Sequence, residues 1–190
     1  MKNMNKIFVE LAKRWGADLK HRKGETHETL NKFENDNNVF FPDDMKEFYV
    51  SINGMTEEEW QLDENAHEVK FLPFRMLKSK SVQFNEDYPT TVKGSKYYSF
   101  SGTGDYDCFL SHEFVIRLSP DQNQDNLVYL INENREHDLV AHSFRDFVRK
   151  CLYYGLGDPR LTPTQSKKRM HELEKFYSEN IGYKKKWWRI

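Results

Sequence analysis

Apolar residues recur at helical spacing in the first part of the chain and predict two helices there. Gly16 ends the first helix, and Thr26 is a suitable N-cap for the second. The second helix is predicted to reach about Asn35, with Leu30 and Phe33 facing inward. The apolar stripe of the first helix consists of Met4, Ile7, Phe8, Leu11 and Trp15.

A third helix is predicted within FFPDDMKEFYVSINGM, residues 40–55. Pro42 suits the first helical position, and the two aspartates that follow it place negative charge at the positive end of the helix dipole. Asn53 and Gly54 tolerate the left-handed conformation that ends a helix. Its apolar stripe consists of Met45, Phe48, Tyr49 and Ile52. This pattern predicts a helix that faces the core and carries no chemistry.

The middle of the chain predicts strands. VKFLPF (69–74) is a strand candidate ended by Pro73, and KYYSFS (96–101) is a second one, broken by the following GTGD, which we interpret as a turn or bulge. CFLSHEFVIRLS (108–119) has the clearest alternation, since Phe114, Ile116 and Leu118 alternate with Val115 and Arg117.

After the polar loop PDQNQDN, the segments LVYLI and DLVAH predict two further strands joined as a hairpin. Ser143 then caps a helix with Asp146 as its capping-box partner, and Gly155 ends it. A last helix is predicted to begin at Thr162. The apolar stripe of the capped helix consists of Phe144, Phe147, Val148, Cys151 and Leu152. That of the last helix consists of Met170, Leu173, Phe176 and Tyr177.

The order of elements, helices then strands then helices, predicts an α+β fold with a largely antiparallel twisted sheet packed by helices. A length of 190 residues is enough for a single domain with a proper core. Charged residues make up 31% and aromatic residues 15%, which is typical of a globular protein with heavy aromatic packing.

Composition and charge placement predict a cytoplasmic location. No apolar run is long enough to span a membrane, and Glu10, Lys13 and Arg14 interrupt the region where a signal peptide needs an unbroken apolar run. Cys108 and Cys151 lie among apolar neighbours, without metal or redox spacing, which agrees with a reducing compartment.

Candidate catalytic and metal-binding motifs are weak. GTGDYD lacks the Lys-Ser/Thr of a phosphate loop, and His112, His137 and His142 lack the spacing and cysteine partners of a zinc site. The serines considered as nucleophiles, none in a GxSxG setting, are Ser101, Ser111 and Ser143. We therefore predict that the protein is not an enzyme and uses no cofactor or metal ion.

One set of motifs resembles the SUKH superfamily, the Smi/Knr group. A short helix containing Phe33-Glu34 leads to the helix with Pro42, Lys46, Phe48, Asn53 and Gly54, and SFRDF follows at residues 143–147. The usual leucine before the proline is replaced by phenylalanine, and the usual second glycine after the asparagine by methionine. The resemblance covers about Glu25 to Tyr154.

The resemblance implies a SUKH-like α+β domain at residues 25–155. The predicted helical extension at 1–24 and the predicted C-terminal helix and basic aromatic tail at 156–190 lie outside the resemblance, which implies nothing about them. The resemblance also implies binding without catalysis. Bacterial members look like immunity proteins that neutralise a toxin domain, often a nuclease, and fungal members look like scaffolds in cell-wall signalling. We therefore expect a cognate toxin domain as the partner, with a regulatory scaffold as the alternative.

Two acidic segments are candidate partner-binding surfaces. The run from residue 57 to 68 contains no Lys or Arg and reads either as a solvated loop or as a mimic of phosphate charge that blocks a basic nuclease groove. Trp60 within it favours binding, because tryptophan is enriched at hot spots. The predicted site consists of Glu57, Glu58, Glu59, Trp60, Asp63 and Glu64, with a second tip at Asp105, Tyr106 and Asp107.

The C-terminal end of the chain is basic. Residues 167–190 contain eight Lys/Arg and three Asp/Glu, a net charge of +5, so the preceding residues carry −6 of the total −1. YKKKWWRI could bind single-stranded nucleic acid or a membrane surface. It could also fold back, with Trp187 and Trp188 covering apolar surface. We favour fold-back or solvation over a nucleic-acid partner, because the chain as a whole is not basic.

Overall fold

The computed structural model describes residues 6–14, 16–62, 69–80, 94–105, 108–132 and 137–154. Its helices are α1 (Lys6–Arg14), α2 (His27–Asn37), α3 (Asp43–Ser51), α4 (Glu57–Leu62) and α5 (Phe144–Arg149), which continues as a π-helical stretch (Lys150–Tyr154). Its strands are β1 (Lys70–Phe71), β2 (Lys78–Lys80), β3 (Lys96–Asp105), β4 (Cys108–Leu118), β5 (Val128–Asn132) and β6 (His137–Ala141). The predicted α+β class is confirmed.

The described strands form one antiparallel sheet in the order β1-β3-β4-β5-β6, with β2 also paired to β3. β1 and β2 share one edge of β3, because β1 pairs with Ser101 and Gly102 while β2 pairs with residues 97–99. A 3₁₀ turn at Phe74–Met76 separates the two short strands. The predicted hairpin of LVYLI and DLVAH is confirmed as β5 and β6.

The main core lies between one face of the sheet and helices α1, α2, α3 and α5. Phe114, Ile116 and Leu118 of β4 point into it, as their alternation predicts. Aromatic rings fill much of this space: Phe147 of α5 lies 4.8 Å from Phe114 and 5.1 Å from Phe100, measured between ring centroids. The helices are therefore held by apolar contacts across the whole width of β3 and β4.

The ends of the helices follow from local chemistry. The Thr26 hydroxyl accepts a hydrogen bond from the Thr29 amide and caps α2, and the Ser143 hydroxyl does the same for α5 through the Asp146 amide. Pro42 occupies the N-cap of α3, one position earlier than predicted, because its backbone is still extended (φ −63°, ψ 148°). The early helix boundaries were otherwise predicted to within a few residues.

Asn53 and Gly54 both adopt left-handed backbone angles, with φ of 58° and 71°. A Cβ on Gly54 would lie 2.3 Å from the Leu72 carbonyl oxygen, so only glycine fits there. This close approach lets the Met55 amide donate to the Phe71 carbonyl at 2.8 Å. The Asn53-Gly54 turn that ends α3 thus also brings the following residue into contact with β1.

Several strand predictions differ from the structure. GTGD does not break β3, which runs through to Asp105, but a register shift between Thr103 and Gly104 marks the bulge that the glycines indicate. VKFLPF forms only the two residues of β1, since Pro73 diverts the chain into the 3₁₀ turn. β2 was not predicted, because its sequence KSK has no apolar alternation. The predicted last helix and the tail lie outside the described residues.

Replacing Tyr49 with phenylalanine tests whether its buried hydroxyl lacks a hydrogen-bond partner. The Tyr49 side chain is fully buried, its hydroxyl makes no hydrogen bond to the described residues, and burial raises its pKa. We expect Tyr49→Phe to leave the free energy of unfolding in urea unchanged or to raise it by about 1–2 kcal/mol, because a buried hydroxyl without a partner is destabilising. The control Phe48→Ala should lower it by about 3–5 kcal/mol. A loss above about 1 kcal/mol for Tyr49→Phe would show that the hydroxyl is bonded.

Candidate partner-binding surface

The first part of the acidic run is a helix rather than a loop. The Thr56 hydroxyl accepts a hydrogen bond from the Glu59 amide at 3.2 Å, and the Glu59 carboxylate accepts one from the Thr56 amide at 2.8 Å. This reciprocal pair is a capping box, and it starts α4 at Glu57. The loop interpretation of residues 57–62 was therefore wrong, because the capping box within the charge run was overlooked.

Arg22 anchors α4 to the end of α3. Its Nε donates to the Ile52 carbonyl at 2.7 Å, one terminal nitrogen bonds the Gly54 carbonyl and the other pairs with the Glu59 carboxylate. The Arg22 and Glu59 side chains are only 7% and 13% exposed. Glu59 therefore has two structural roles, in the capping box and in a buried ion pair.

The Trp60 side chain points from α4 into the protein. It is 3% exposed and packs with Met55 and Leu72, with Met76 at the margin of the cluster. The Lys70 ammonium lies 5.2 Å from the centre of the Trp60 ring and donates to the Trp60 carbonyl at 3.1 Å. The indole packs α4 against β1 in this structure. Trp60, which the sequence suggested as a partner-binding residue, is therefore part of the interior packing.

Glu57 and Glu58 remain on the surface. Both are exposed and both lie in the first turn of α4, where carboxylates are favoured by the helix dipole. Asp63 and Glu64, predicted as members of the same surface, lie outside the described residues. The described acidic surface is therefore the N-terminal turn of α4, held from below by Arg22 and Trp60.

The second predicted acidic tip lies at the hairpin between β3 and β4. Asp105 is the last residue of β3 and pairs with Cys108, while Tyr106 and Asp107 lie outside the described residues. Lys70, which contacts α4, pairs with Gly102, and Asp105 is roughly 10 Å further along the strand at the usual rise. The register thus places the hairpin and α4 at the same end of β3.

Other buried charged groups have structural partners. The Glu34 carboxylate accepts from the Phe41 amide at 2.6 Å and pairs with the Lys46 ammonium at 2.8 Å. The Asp44 carboxylate accepts from the Arg145 amide at 2.8 Å, which joins the start of α3 to α5. Burial raises the pKa of Asp44, and the backbone hydrogen bonds from Arg145 and Met45 oppose that rise.

The remaining candidate chemical groups are placed as follows. Ser143 is the N-cap of α5, as predicted, and Cys151 is a buried thiol of the core. Within the described ranges, no group of three or more His, Cys, Asp or Glu side chains is arranged to hold a metal ion. No helix among the described residues has the length and apolar character required to cross a membrane.

Sequence analysis did not identify the role of Arg22, which lies between the first two predicted helices. Its acceptors lie 30–37 residues further along the chain, so no local pattern announces the contact. The Thr56–Glu59 capping box, in contrast, had a local signal, the spacing Thr-x-x-Glu.

Comparison with known proteins adds one match. The model of the SMI1 / KNR4 family (SUKH-1) matches residues 24–150, which is most of the chain and agrees with the resemblance found in the sequence. No curated protein matches the chain. No solved structure matches it either.

Replacing Arg22 tests whether α4 depends on its anchor. We expect Arg22→Met to lower the free energy of unfolding by about 3–5 kcal/mol, because Glu59 would be left as a buried charge without its cation. Urea unfolding measures the change. Lys32→Met is the matched control, since Lys32 pairs with Asp36 on the surface of α2, where both side chains are more than half exposed. It should change stability by less than about 1 kcal/mol. Equal effects of the two variants would contradict an anchoring role.

Proposed function

Because the chain belongs to the SMI1 / KNR4 family (SUKH-1), we propose that it is an immunity protein that binds and neutralises a cognate toxin domain without catalysis. Members of this family are typically protein-binding, and the family is compatible with immunity or regulatory roles. The toxin partner, the cytoplasmic site of action and the absence of catalysis are parts of this proposal.

The observation that carries the proposal is the position of Glu57 and Glu58. Both carboxylates are exposed on a short helix in which the next residue, Glu59, is paired with Arg22 and the one after it, Trp60, is buried. A surface held in one conformation loses little conformational entropy on binding. Adjacent carboxylates on such a surface complement a basic groove, which is what a nuclease presents to its nucleic-acid substrate.

The proposed binding surface extends from α4 to the hairpin at the same end of β3. It includes Asp63, Glu64, Asp105, Tyr106 and Asp107 together with the two exposed glutamates. Glu59 and Trp60 support this surface from within. A nuclease toxin acts where nucleic acid is, so its inhibitor would act in the cytoplasm.

A regulatory scaffold would use the same fold with a different partner, so capture of the partner separates the two functions. We expect the tagged full chain to retain one large secreted protein from its host's lysate at moderate salt, through that protein's C-terminal domain. That domain, expressed alone, should stop growth, and co-expression of this chain should restore it. Capture of signalling or ribonucleoprotein components, or failure to restore growth, would contradict the immunity function.

Charge reversal tests the surface. Glu57→Lys with Glu58→Lys should reduce the association rate with the captured toxin domain by at least about tenfold at low salt, and less at high salt, because steering by exposed charges is screened. Stopped-flow mixing measures the rate. The matched control is Glu28→Lys with Asp43→Lys, two exposed first-turn acids of α2 and α3. An unchanged rate in the first variant, or an equal loss in the control, would remove α4 from the binding surface.

A further inference from the structure

The sheet has a second apolar cluster on the face opposite the main core. It consists of Tyr97, Val115, Leu127 and Tyr129, with the half-buried Ile131 at its margin. The members in β3, β4 and β5 alternate with residues that face the helices, and Leu127 immediately precedes β5. The Tyr97 and Tyr129 rings meet edge to face, 6.0 Å apart. We call this set the outer cluster.

The outer cluster is more buried than an open sheet face allows. Tyr129 is 2% exposed and Tyr97 is 7% exposed, although a tyrosine that stands on an uncovered face keeps one side of its ring in water. The buried residues of the described helices belong to the other two clusters. The described buried apolar side chains of the helices therefore do not account for this burial.

The burial of this face of the sheet ends before Leu139 of β6. Leu139 of β6 is the pairing partner of Tyr129, so it lies on the same face of the sheet, yet it is 42% exposed. Val115 of β4, on the other side of Tyr129, is fully buried. The burial of this face thus extends over β3, β4 and β5 and does not include Leu139 of β6.

We propose that residues 162–177, which contain the start and the apolar stripe of the predicted last helix, dock on the outer cluster. The apolar stripe of Met170, Leu173, Phe176 and Tyr177 supplies the apolar surface that this face requires. A helix of this length is about 24 Å long, and β3 to β5 span about 10 Å, so one helix is sufficient. Docking by this segment does not depend on the proposed function.

Charge favours the same occupant. Residues 167–190 carry +5 and the preceding residues −6, so the tail is attracted to the body of the molecule. This face of β4 carries charges of both signs, since Glu113 lies opposite Ile131 and the buried Arg117 lies opposite Tyr97. Residues 81–93, which connect β2 to β3, also contain apolar side chains, but they include Pro89 and no helical stripe. A second copy of the chain is the other rival occupant.

Photo-crosslinking in the full chain distinguishes these occupants. With p-benzoylphenylalanine in place of the half-buried Ile131, we expect crosslinked peptides from residues 162–177 within a monomer. The control position is Lys32, exposed on α2 behind the opposite face, where no crosslink to that segment should form. Crosslinks from Ile131 to residues 81–93, crosslinks only between two copies, or no crosslink would each overturn the proposal.

A tail variant gives a second readout that does not require the substitution at Ile131. Phe176→Asp should expose the outer cluster, so nitration of Tyr129 by tetranitromethane should rise on the order of tenfold, since modification follows the population that is open. Ser178→Asp adds the same charge off the apolar stripe and should leave nitration unchanged. Equal nitration of Tyr129 in Phe176→Asp and in the parent chain would show that another segment covers this face.

Discussion

The ring of Phe48 makes the contacts on which the packing of the molecule depends. Its centroid lies 5.5 Å from Phe8 of α1, 5.5 Å from Phe71 of β1 and 5.2 Å from Phe144 of α5. Each aromatic pair adds about 0.5–1.5 kcal/mol beyond the burial of its area. Because these four rings come from four distant segments, they orient α3 against the helices and the sheet together. The position of α3 in turn determines where the chain turns at Gly54, and therefore where α4 begins.

Arg22 then fixes α4 to the end of α3. Taking a guanidinium and a carboxylate out of water is costly, and the cost is offset only when the donors find acceptors. Here Arg22 bonds two carbonyls at the end of α3 as well as Glu59, so α4 cannot shift without breaking several charged hydrogen bonds. Glu57 and Glu58 project from this fixed helix. The same acidic run thus supplies both an internal anchor and the exposed charges.

Local rules predicted α1, α2, α3, α5 and the longer strands, because caps, prolines and apolar spacing act within a few residues, but α4 was taken as a loop. Thr26, Pro42 and Ser143 each lie at or next to the helix start that their chemistry indicates. β2 carried no signal, since its sequence KSK has no apolar alternation. The candidate surface was predicted from charge and one tryptophan. The sequence could not predict which of these residues are exposed and which are held inside, because Arg22, the partner of Glu59, is 37 residues away and the burial of Trp60 depends on packing near β1.

We propose that α4 and the adjacent hairpin form the surface that contacts a protein partner. Hydrogen exchange of the full chain, measured with and without the captured partner, shows which amides the partner protects. We expect the amides of α4 (Glu57–Leu62) and of the β3–β4 hairpin to exchange more slowly in the complex, while those of α2 (His27–Asn37) do not change. Slower exchange confined to α1 and α2, with α4 unchanged, would show that the partner binds elsewhere.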